Sequence, residues 1–549
     1  MLFDGTVRTP VDHSQLAHLI EQLRNERVDA VAVCLLHSYV NPAHELEIGQ
    51  ALAKALPAAT VSLSHEIVGE QGEYERFSTC VMNAFVQPAM QSYLAGLDIR
   101  LNEAGFASPL FVMKSNGGVM SSLAAGRQSV ETILSGPCGG VVAGIAMAKL
   151  HHNQNLITAD MGGTSFDVSV IHDGQTGFAR ESEMGGLALA VPMLDIHTVG
   201  AGGGSIAWVD SGGSLRVGPQ SAGAAPGPAC YGRGGSEPTV TDANLVLGRL
   251  SPTSLLGGGM TLDLEAAHRA IHDHVAMPLG ISLITAAEGI TRVVNATMTA
   301  AIRRLTVERG FDPSTFALCP FGGAGPLHGA KLASEIGIDE CLVPIAPGIT
   351  SAIGLLLTNL RQDRVRTHVT LLRNNSIVEI NTILQELIAD ASARLGFAGS
   401  GRSIRRTLGM RYCGQRYELF MSLADGKLDR LQIETDFHHE HQRIYGYARQ
   451  EQSVEVATIW VSVEVDLQAV AFPKMGKAKT DSTPIACRSV FYDAVAHETP
   501  VYSRATLGAG TALVGPAIIE QLDATTVVWP GQNLRVDDYG QIVMGPIPH

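Results

Sequence analysis

Acidic, glycine and hydroxyl residues that could bind a phosphorylated ligand are concentrated in one short stretch between two apolar runs. The polar residues of this stretch are Asp160, Gly162, Gly163, Thr164, Ser165 and Asp167. Adjacent glycines let main-chain N–H groups approach phosphate oxygens, and the two hydroxyls add further donors. Asp160 is a candidate Mg²⁺ ligand, because hard cations prefer carboxylate and water oxygens. The stretch predicts a phosphate-binding loop, and a plain β-hairpin with a Gly-Gly turn is the alternative.

A second glycine-rich stretch lies at 195–205 and contains the triple glycine Gly202, Gly203 and Gly204. It partly matches a dinucleotide-binding fingerprint, but the residues that follow it predict a strand and a turn. Pyrophosphate binding of that type requires a helix at this point, so the sequence excludes a Rossmann cofactor. The P-loop pattern that ends in Gly-Lys-Ser/Thr is also absent. Any nucleotide site therefore belongs to another class.

A third stretch contains Gly322, Gly323 and Gly325 between an apolar run and a predicted helix. Glycines at such a junction allow a flat ring to approach the main chain. By itself this pattern fits a structural turn between a strand and a helix equally well. Together with the first stretch it predicts the two ends of one nucleotide, with phosphates near 160–167 and adenine near 321–326.

The elements that position these stretches alternate between helices and strands. Residues 12–37 predict an amphipathic helix followed by a buried strand, and strands are predicted again at 155–171 and near 316–320. A helix at about 286–309 carries apolar residues at steps of three and four. This alternation is typical of an α/β protein.

Composition excludes several classes of protein. The 549 residues carry a formal net charge of −14, which argues against a nucleic-acid partner and against an anionic membrane surface. The eight cysteines form no Cys-x-x-Cys pair, so a disulfide framework and a structural zinc site are not expected. No apolar run approaches the ~18 residues of a membrane span, and no secretory signal is visible at the N-terminus. We therefore expect a soluble, cytoplasmic protein.

Two groups of histidines have the spacing of metal ligands on a helix. They are His438 with His441, and His268 with His272. We interpret both groups as solvated helix faces, because polar residues surround them in the sequence.

Several longer stretches are shared with one family. They lie at 135–140, 160–167, 197–205, 227–232, 241–250, 321–327, 411–415 and 515–520. Through them the chain resembles the A-type subunit of the hydantoinase/5-oxoprolinase family, which includes N-methylhydantoinase A-type subunits and is related to acetone and acetophenone carboxylase subunits. The resemblance implies a two-lobed, ribonuclease H-like α/β core of the kind found in actin, sugar kinases and heat-shock ATPases.

The resemblance also implies a division into domains. Family members begin with a further segment that carries a first Asp-x-Gly-Gly-Thr loop, so residues 1–65 are interpreted as the remainder of an N-terminal domain. Residues 66–362 are the core with the ATP loops. The sequence pattern changes around residues 363–400, where a polar turn precedes a further helix, and it becomes strand-rich beyond about residue 403. Residues 363–549 are therefore assigned to a strand-rich α+β C-terminal domain.

The family's activity is ATP-dependent hydrolysis of a cyclic amide such as a hydantoin, an N-methylhydantoin or 5-oxoproline. The resemblance implies that ATP phosphorylates the amide carbonyl, with Mg²⁺, or Mn²⁺ as the alternative, at Asp160. It further implies a B-type partner subunit, an oligomer and a small cyclic amide as the substrate. A ketone carboxylase subunit, which would depend on bicarbonate, and a non-catalytic partner subunit are the alternative functions.

Each candidate residue receives a role on this basis. Asp160, Asp195 and His197 are the catalytic candidates, the last two for substrate binding or proton transfer. The candidates for nucleotide binding are Gly162, Gly163, Thr164, Ser165, Asp167, Gly202, Gly203, Gly204, Gly322, Gly323 and Gly325.

Overall fold

The computed structural model describes residues 1–179, 182–253, 256–395, 401–467, 471–477 and 482–548. Its α-helices are α1 His13–Glu26, α2 Ala43–Ala55, α3 Ser64–Ile67, α4 Glu73–Glu103, α5 Ser122–Arg127, α6 Ser135–Leu150, α7 Val240–Val246, α8 Leu264–Ile271, α9 Met277–Leu279, α10 Leu283–Leu305, α11 Gly325–Ile336, α12 Thr350–Leu356, α13 Asn374–Leu395 and α14 Arg430–Tyr445. The predicted helix at 286–309 is α10.

The strands alternate with these helices in the first two thirds of the chain and predominate after α13. They are β1 Ala30–Val33, β2 Thr60–Leu63, β3 Phe111–Met113, β4 Val119–Ser121, β5 Leu156–Met161, β6 Phe166–His172, β7 Gln175–Thr176, β8 Phe178–Ala179, β9 Ser182–Met184, β10 Leu187–Leu189, β11 Met193–Leu194, β12 His197–Val199, β13 Ser205–Val209, β14 Leu215–Ser221, β15 Ala317–Phe321, β16 Glu340–Val343, β17 Leu360–Leu371, β18 Arg402–Tyr412, β19 Leu419–Ser422, β20 Val454–Val465, β21 Ala486–Tyr492, β22 Val495–Ser503, β23 Ala512–Val514, β24 Ala517–Glu520, β25 Thr525–Val528, β26 Asn533–Val536 and β27 Ile542–Met544. The predicted α/β fold is confirmed.

The chain forms two compact units, each assembled from three separate segments. Unit 1 comprises Met1–Ser135, Phe178–Met193 and Thr358–Ala469. Unit 2 comprises Gly136–Gly177, Leu194–Leu357 and Val470–His549. The predicted domain boundaries at 65/66 and 362/363 both fall within unit 1, so the compact units follow a different division of the chain. The domain boundaries stay predictions.

Unit 2 is built on a nine-stranded sheet that carries all three glycine-rich stretches at its strand ends. Its strand order is β12-β6-β5-β15-β16-β27-β26-β23, with β7 paired to β6. Strands β5 and β6 form an antiparallel hairpin, and β15 lies parallel to β5 on the other side. Helix α10 covers one face, where Ile157, Val168 and Ile290 belong to one buried hydrophobic cluster. Met147 of α6 packs on the opposite face, against Leu156 and Ile171.

Unit 1 contains a six-stranded sheet and a two-stranded parallel sheet. The six strands are ordered β19-β18-β20-β17-β4-β3, and β1 pairs with β2. Asp363 of β17 is buried and accepts hydrogen bonds from the guanidinium of Arg361 and from Nε1 of Trp460. Burial alone would raise the pKa of Asp363, but the charges of Arg361 and Lys114 hold it at about 2. Removing one partner of this buried ion pair would leave the other charge buried without compensation, which is strongly destabilising.

Neither histidine stretch belongs to a larger cluster of metal ligands among the described residues: no group of three or more His, Cys, Asp or Glu side chains there could hold a metal ion. The expectation of a solvated face was wrong for His441, which is buried and bonds through Nδ1 to the carbonyl oxygen of Tyr447 at 2.8 Å. Its ring packs against Tyr412, so His441 is a core residue.

None of the described helices is by itself long and apolar enough to cross a bilayer. The segments Leu264–Leu279 and Leu283–Arg309, bent by 91°, satisfy the length and composition criteria only as a pair.

Candidate functional site

Asp160 and Asp167 lie directly opposite each other beside the loop that joins β5 to β6. On the next strand, β12, Thr198 lies opposite Asp167. Residues directly opposite in paired strands project to the same face of a sheet. The three polar side chains therefore form one row on the face that α6 covers. Thr198 completes this row by donating a hydrogen bond from its hydroxyl to Oδ1 of Asp167.

The pKa values of both carboxyl groups in this row are raised above their ordinary value. Burial, reinforced by the charge of Asp167, raises the pKa of Asp160 to about 6, and the hydroxyl of Ser351, at 3.0 Å from Oδ2, opposes this shift. Burial also raises the pKa of Asp167, against the hydrogen bonds from Thr198 and Ser165. Neither carboxylate forms an ion pair with a lysine or arginine of the described residues. A cation would favour the charged form of both groups.

The loop between these two aspartates has a main chain open to a ligand. A Cβ atom added to Gly162 or Gly163 would meet no atom within 4 Å, and neither residue has the positive φ that favours glycine. Within the described chain, the N–H groups of Gly163, Thr164 and Ser165 have no protein acceptor. Three consecutive N–H groups without a protein acceptor, beside glycines that no atom crowds, are a candidate cradle for an anion such as phosphate. The hairpin alternative and the phosphate-loop prediction are thus compatible.

The triple-glycine loop packs directly behind this cradle. Gly203 N donates to Gly162 O at 2.9 Å, and Gly204 N donates to Gly163 O at 2.7 Å. A Cβ atom at Gly202 would lie 2.5 Å from the N atom of Thr164. These contacts give the glycines a packing role, because only glycine lets the two main chains approach so closely. Their assignment to the nucleotide itself stays a prediction.

The third glycine loop lies against Asp160. Ala324 N donates to Met161 O at 3.0 Å, and Phe321 pairs with Asp160 in the parallel register of β15 and β5. Gly322 has φ +80°, and a Cβ atom there would lie 2.4 Å from Oδ1 of Asp160. Gly323 and Gly325 are less crowded. The loop therefore adjoins the phosphate cradle, and its assignment to adenosine stays a prediction.

The structure does not bring Asp195 and His197 to this row. His197 pairs with Val168, one position away from Asp167, so its side chain lies on the α10 face. Asp195 forms an ion pair with Arg309, at 3.3 Å between Oδ1 and Nη2. Burial, together with the charges of Arg304 and Arg309, lowers the pKa of His197. A shared catalytic role with Asp160 is therefore not supported by the geometry.

Sequence reasoning missed Thr198, Ser351 and Thr241. Thr198 and Ser351 bond the two carboxylates, whereas Thr241 holds the triple-glycine loop, with its hydroxyl 2.8 Å from Gly203 O. Thr198 could have been found from the sequence, since it lies shortly before the triple glycine at 202–204. Ser351 carries no local signal, because it lies far along the chain from Asp160.

The residues at this site fit a magnesium–nucleotide complex. Mg²⁺ in nucleotide sites is held by one or two carboxylates together with phosphate oxygens and water, rather than by an all-protein cage. Asp160 and Asp167 would supply the carboxylates for such a complex, and the N–H groups of the cradle would supply the phosphate donors. The carboxylates and the cradle both lie within unit 2, at the same end of strands β5 and β6.

Comparisons of this chain with known proteins all indicate the same family. Three family models match: the hydantoinase/oxoprolinase model at residues 76–364, its N-terminal region at 1–56 and its C-terminal domain at 373–543. Caprolactamase subunit alpha of Pseudomonas jessenii is 37% identical over 98% of this chain and 79% of its own. Acetophenone carboxylase gamma subunit of Aromatoleum aromaticum is 31% identical over 99% of this chain and 77% of its own.

Two further comparisons extend this result. The chain is 32% identical to 5-oxoprolinase 1 of Arabidopsis thaliana over 97% of its length, and it spans 43% of that protein. The crystal structure of the ATP-dependent caprolactamase from Pseudomonas jessenii superposes with a TM-score of 0.88 at 36% identity, covering 100% of this chain and 81% of the other.

Proposed function

This chain belongs to the hydantoinase/oxoprolinase family, and on that premise we propose that it is a subunit of an ATP-dependent hydrolase of cyclic amides. The observation that carries the proposal is the pair of half-buried, facing carboxylates beside a loop with three N–H groups that have no protein acceptor. That combination provides ligands for a divalent cation and for phosphate at one place. The caprolactamase and 5-oxoprolinase relatives support a cyclic amide as the substrate class.

The residues of the row and the cradle have separate tasks in this function. Asp160 and Asp167 would hold Mg²⁺, or Mn²⁺ in its place, and the N–H groups of 163–165 would hold phosphate. Bound ATP would supply a phosphoryl group to the amide carbonyl oxygen, which makes the carbonyl carbon a better target for water. Thr198 and Ser351 keep the two carboxylates oriented. Donors fixed in advance stabilise developing charge without reorganisation, which is how such a site accelerates phosphoryl transfer.

A partner subunit is part of the proposal. The caprolactamase and acetophenone carboxylase relatives are themselves named as subunits. We infer that this chain supplies the ATP site and acts together with a B-type subunit of the same enzyme.

A ketone carboxylase subunit is the second candidate function. It is favoured by the acetophenone carboxylase relative, which covers 99% of this chain. The same carboxylates and cradle would serve either reaction, so the substrate has to separate the two candidates. A non-catalytic role as a partner subunit is a third outcome of the experiment below.

The test begins with calorimetric titration of Mg–ATP into the full chain, alone and after co-expression with the partner subunit. ATP hydrolysis is then measured with caprolactam, 5-oxoproline, hydantoin and, with or without bicarbonate, acetone and acetophenone. Stimulation by a cyclic amide without bicarbonate supports the proposal, and Asp160→Ala should abolish it. Stimulation that requires a ketone and bicarbonate supports the carboxylase. Folded protein that neither binds nor hydrolyses ATP contradicts both and supports the non-catalytic role.

A further inference from the structure

The C-terminal part of the chain sends the tip of one hairpin to the candidate site within unit 2. Strands β24 and β25 are joined by residues 521–524, and Gln521 N donates to Ala524 O at 3.1 Å to close the turn. Asp523 lies at this tip. Its Oδ2 accepts a hydrogen bond from the main-chain N–H of Gly348 at 2.8 Å, and its Oδ1 accepts one from Nε2 of Gln521 at 2.6 Å.

Asp523 and Gly348 are in close main-chain contact as well. A Cβ atom at Gly348 would lie 2.6 Å from the Cβ of Asp523 and 2.7 Å from its carbonyl oxygen. A side chain at position 348 would therefore displace the hairpin tip. The carbonyl oxygen of Asp523 also lies 3.8 Å from the position of a Cβ atom at Gly323. The tip thus contacts the segment that follows β16 and lies near the third glycine loop.

The segment held by Asp523 makes two contacts with the nucleotide site. It consists of the 3₁₀ turn Pro347–Ile349 and the start of α12. Pro347 O accepts a hydrogen bond from Gly322 N at 2.8 Å. At its other end, Ser351 donates to Oδ2 of Asp160 at 3.0 Å. One short segment therefore connects Asp523 to both the carboxylate of Asp160 and the third glycine loop.

Helix α12 is already fixed on its other side. A Cβ atom at Gly139 of α6 would lie 2.3 Å from Ser351 O, and one at Gly354 would lie 1.8 Å from Gly139 O. This contact leaves no room for α12 to move toward α6. At the turn 347–349, the segment is held by Asp523, which accepts a hydrogen bond from Gly348 N.

We propose that Asp523 is a positioning residue of the nucleotide site: it fixes the 347–351 segment so that Ser351 orients Asp160 and Pro347 orients Gly322. The proposal rests on the proposed function. It makes the region matched by the C-terminal family model, 373–543, a contributor to a site built in the region matched by the core model, 76–364. Asp523 acts through Ser351 and Gly322 and does not itself contact the nucleotide.

The test compares Asp523→Ala with Asp523→Asn in the full chain. Asparagine keeps an oxygen that can accept from Gly348 N, whereas alanine removes the acceptor. Hydrogen exchange of a peptide covering 346–352, measured without nucleotide, should accelerate about tenfold in the alanine variant and about threefold or less in the asparagine variant. Affinity for Mg–ATP, measured by calorimetry, should fall by similar factors. Leu522→Ala, at an exposed position of the same tip, is the matched control and should change neither quantity.

A second variant separates positioning from general loss of structure. Because Asp523 acts through Ser351, Asp523→Ala combined with Ser351→Ala should bind Mg–ATP about as weakly as the weaker single variant. Fully additive losses would overturn the proposal, and so would unchanged exchange at 346–352 in Asp523→Ala. Equal losses in the alanine and asparagine variants would also overturn it, because they would indicate a charge-dependent role. Absence of Mg–ATP binding by the wild-type chain would overturn the proposed function and this inference with it, whatever the exchange result.

Discussion

Asp160 and Asp167 face each other across the β5–β6 hairpin, and burial raises the pKa of both carboxyl groups. Two like charges directly opposite in a sheet are unfavourable, and each is further penalised by the loss of water. The protein retains this pair although no described lysine or arginine neutralises it. Such a pair is expected where a cation is bound during function.

Replacing Asp160 should stabilise the chain in the absence of ligand. The folded-state pKa of about 6 lies above the ordinary value of 3.8, so ionisation of Asp160 penalises the folded state increasingly as pH rises from about 4 to 6. Asp160→Asn should therefore raise the free energy of unfolding at pH 7.5 by at most about 3 kcal/mol. The gain should shrink as pH falls from 6 toward 4. Urea unfolding at several pH values measures it.

The control for this prediction is Asp173→Asn, at the exposed opposite end of the hairpin. That variant should change the free energy of unfolding by less than about 0.5 kcal/mol at either pH. A loss of stability in Asp160→Asn at pH 7.5 would show that the carboxylate is satisfied by the protein itself.

Two glycines near Asp160 should respond in opposite ways to alanine. Gly163→Ala meets no atom and requires no unusual φ, so the unfolding temperature should stay the same or rise slightly. The added methyl group would narrow the phosphate cradle, so Mg–ATP affinity should fall at least about tenfold. Gly322→Ala requires φ +80° and a Cβ atom 2.4 Å from Asp160 Oδ1. It should lose roughly 2 kcal/mol or more of stability.

Thermal unfolding and calorimetric titration of both glycine variants measure these effects. Unaltered Mg–ATP binding by Gly163→Ala would contradict the assignment of the cradle. Loss of stability in that variant would show that the glycine serves the fold.

The hydroxyl of Thr198 should control how the site responds to acid. Thr198→Val keeps the shape of the side chain but removes the hydrogen bond to Asp167, so the pKa of Asp167 should rise further. Protons would then compete with Mg²⁺ at higher pH. We expect Mg–ATP affinity to fall about fivefold at pH 7 and more steeply toward pH 5.5. Calorimetry over this range measures it, with Thr198→Ser as the hydroxyl-retaining control; parallel pH profiles for the two variants would disprove the role.

His197, the neighbour of Thr198, should behave differently. Its side chain lies on the α10 face of the sheet, near Arg304 and Arg309. His197→Ala should therefore leave Mg–ATP affinity within about twofold of the wild-type value. Thr198→Val, one residue away, is the matched comparison. A loss of affinity in His197→Ala as large as that of Thr198→Val would place His197 in the site after all.

The sequence alone predicts the chemistry that we propose for the first loop. Asp160, the paired glycines and the hydroxyl residues that follow predict phosphate and metal binding from residue type and local spacing. The apolar runs on either side predict the strands of the hairpin, because strands buried on both faces contain few polar residues. The α/β class followed from the same local patterns.

The tertiary structure decided which residues share the site. Strand register places Thr198 opposite Asp167, on the same face as Asp160. The adjacent His197 lies on the other face, since successive side chains in a strand alternate between faces. Main-chain packing, which no local pattern encodes, brings Ser351 to Asp160 and Asp523 to Gly348. The structure also shows which glycines the fold requires. Gly322 is such a residue, whereas no atom of the protein crowds Gly163. Local sequence therefore predicts which residue types could do the chemistry. Which of these residues lie close together depends on strand order and on contacts between segments that are distant in the chain.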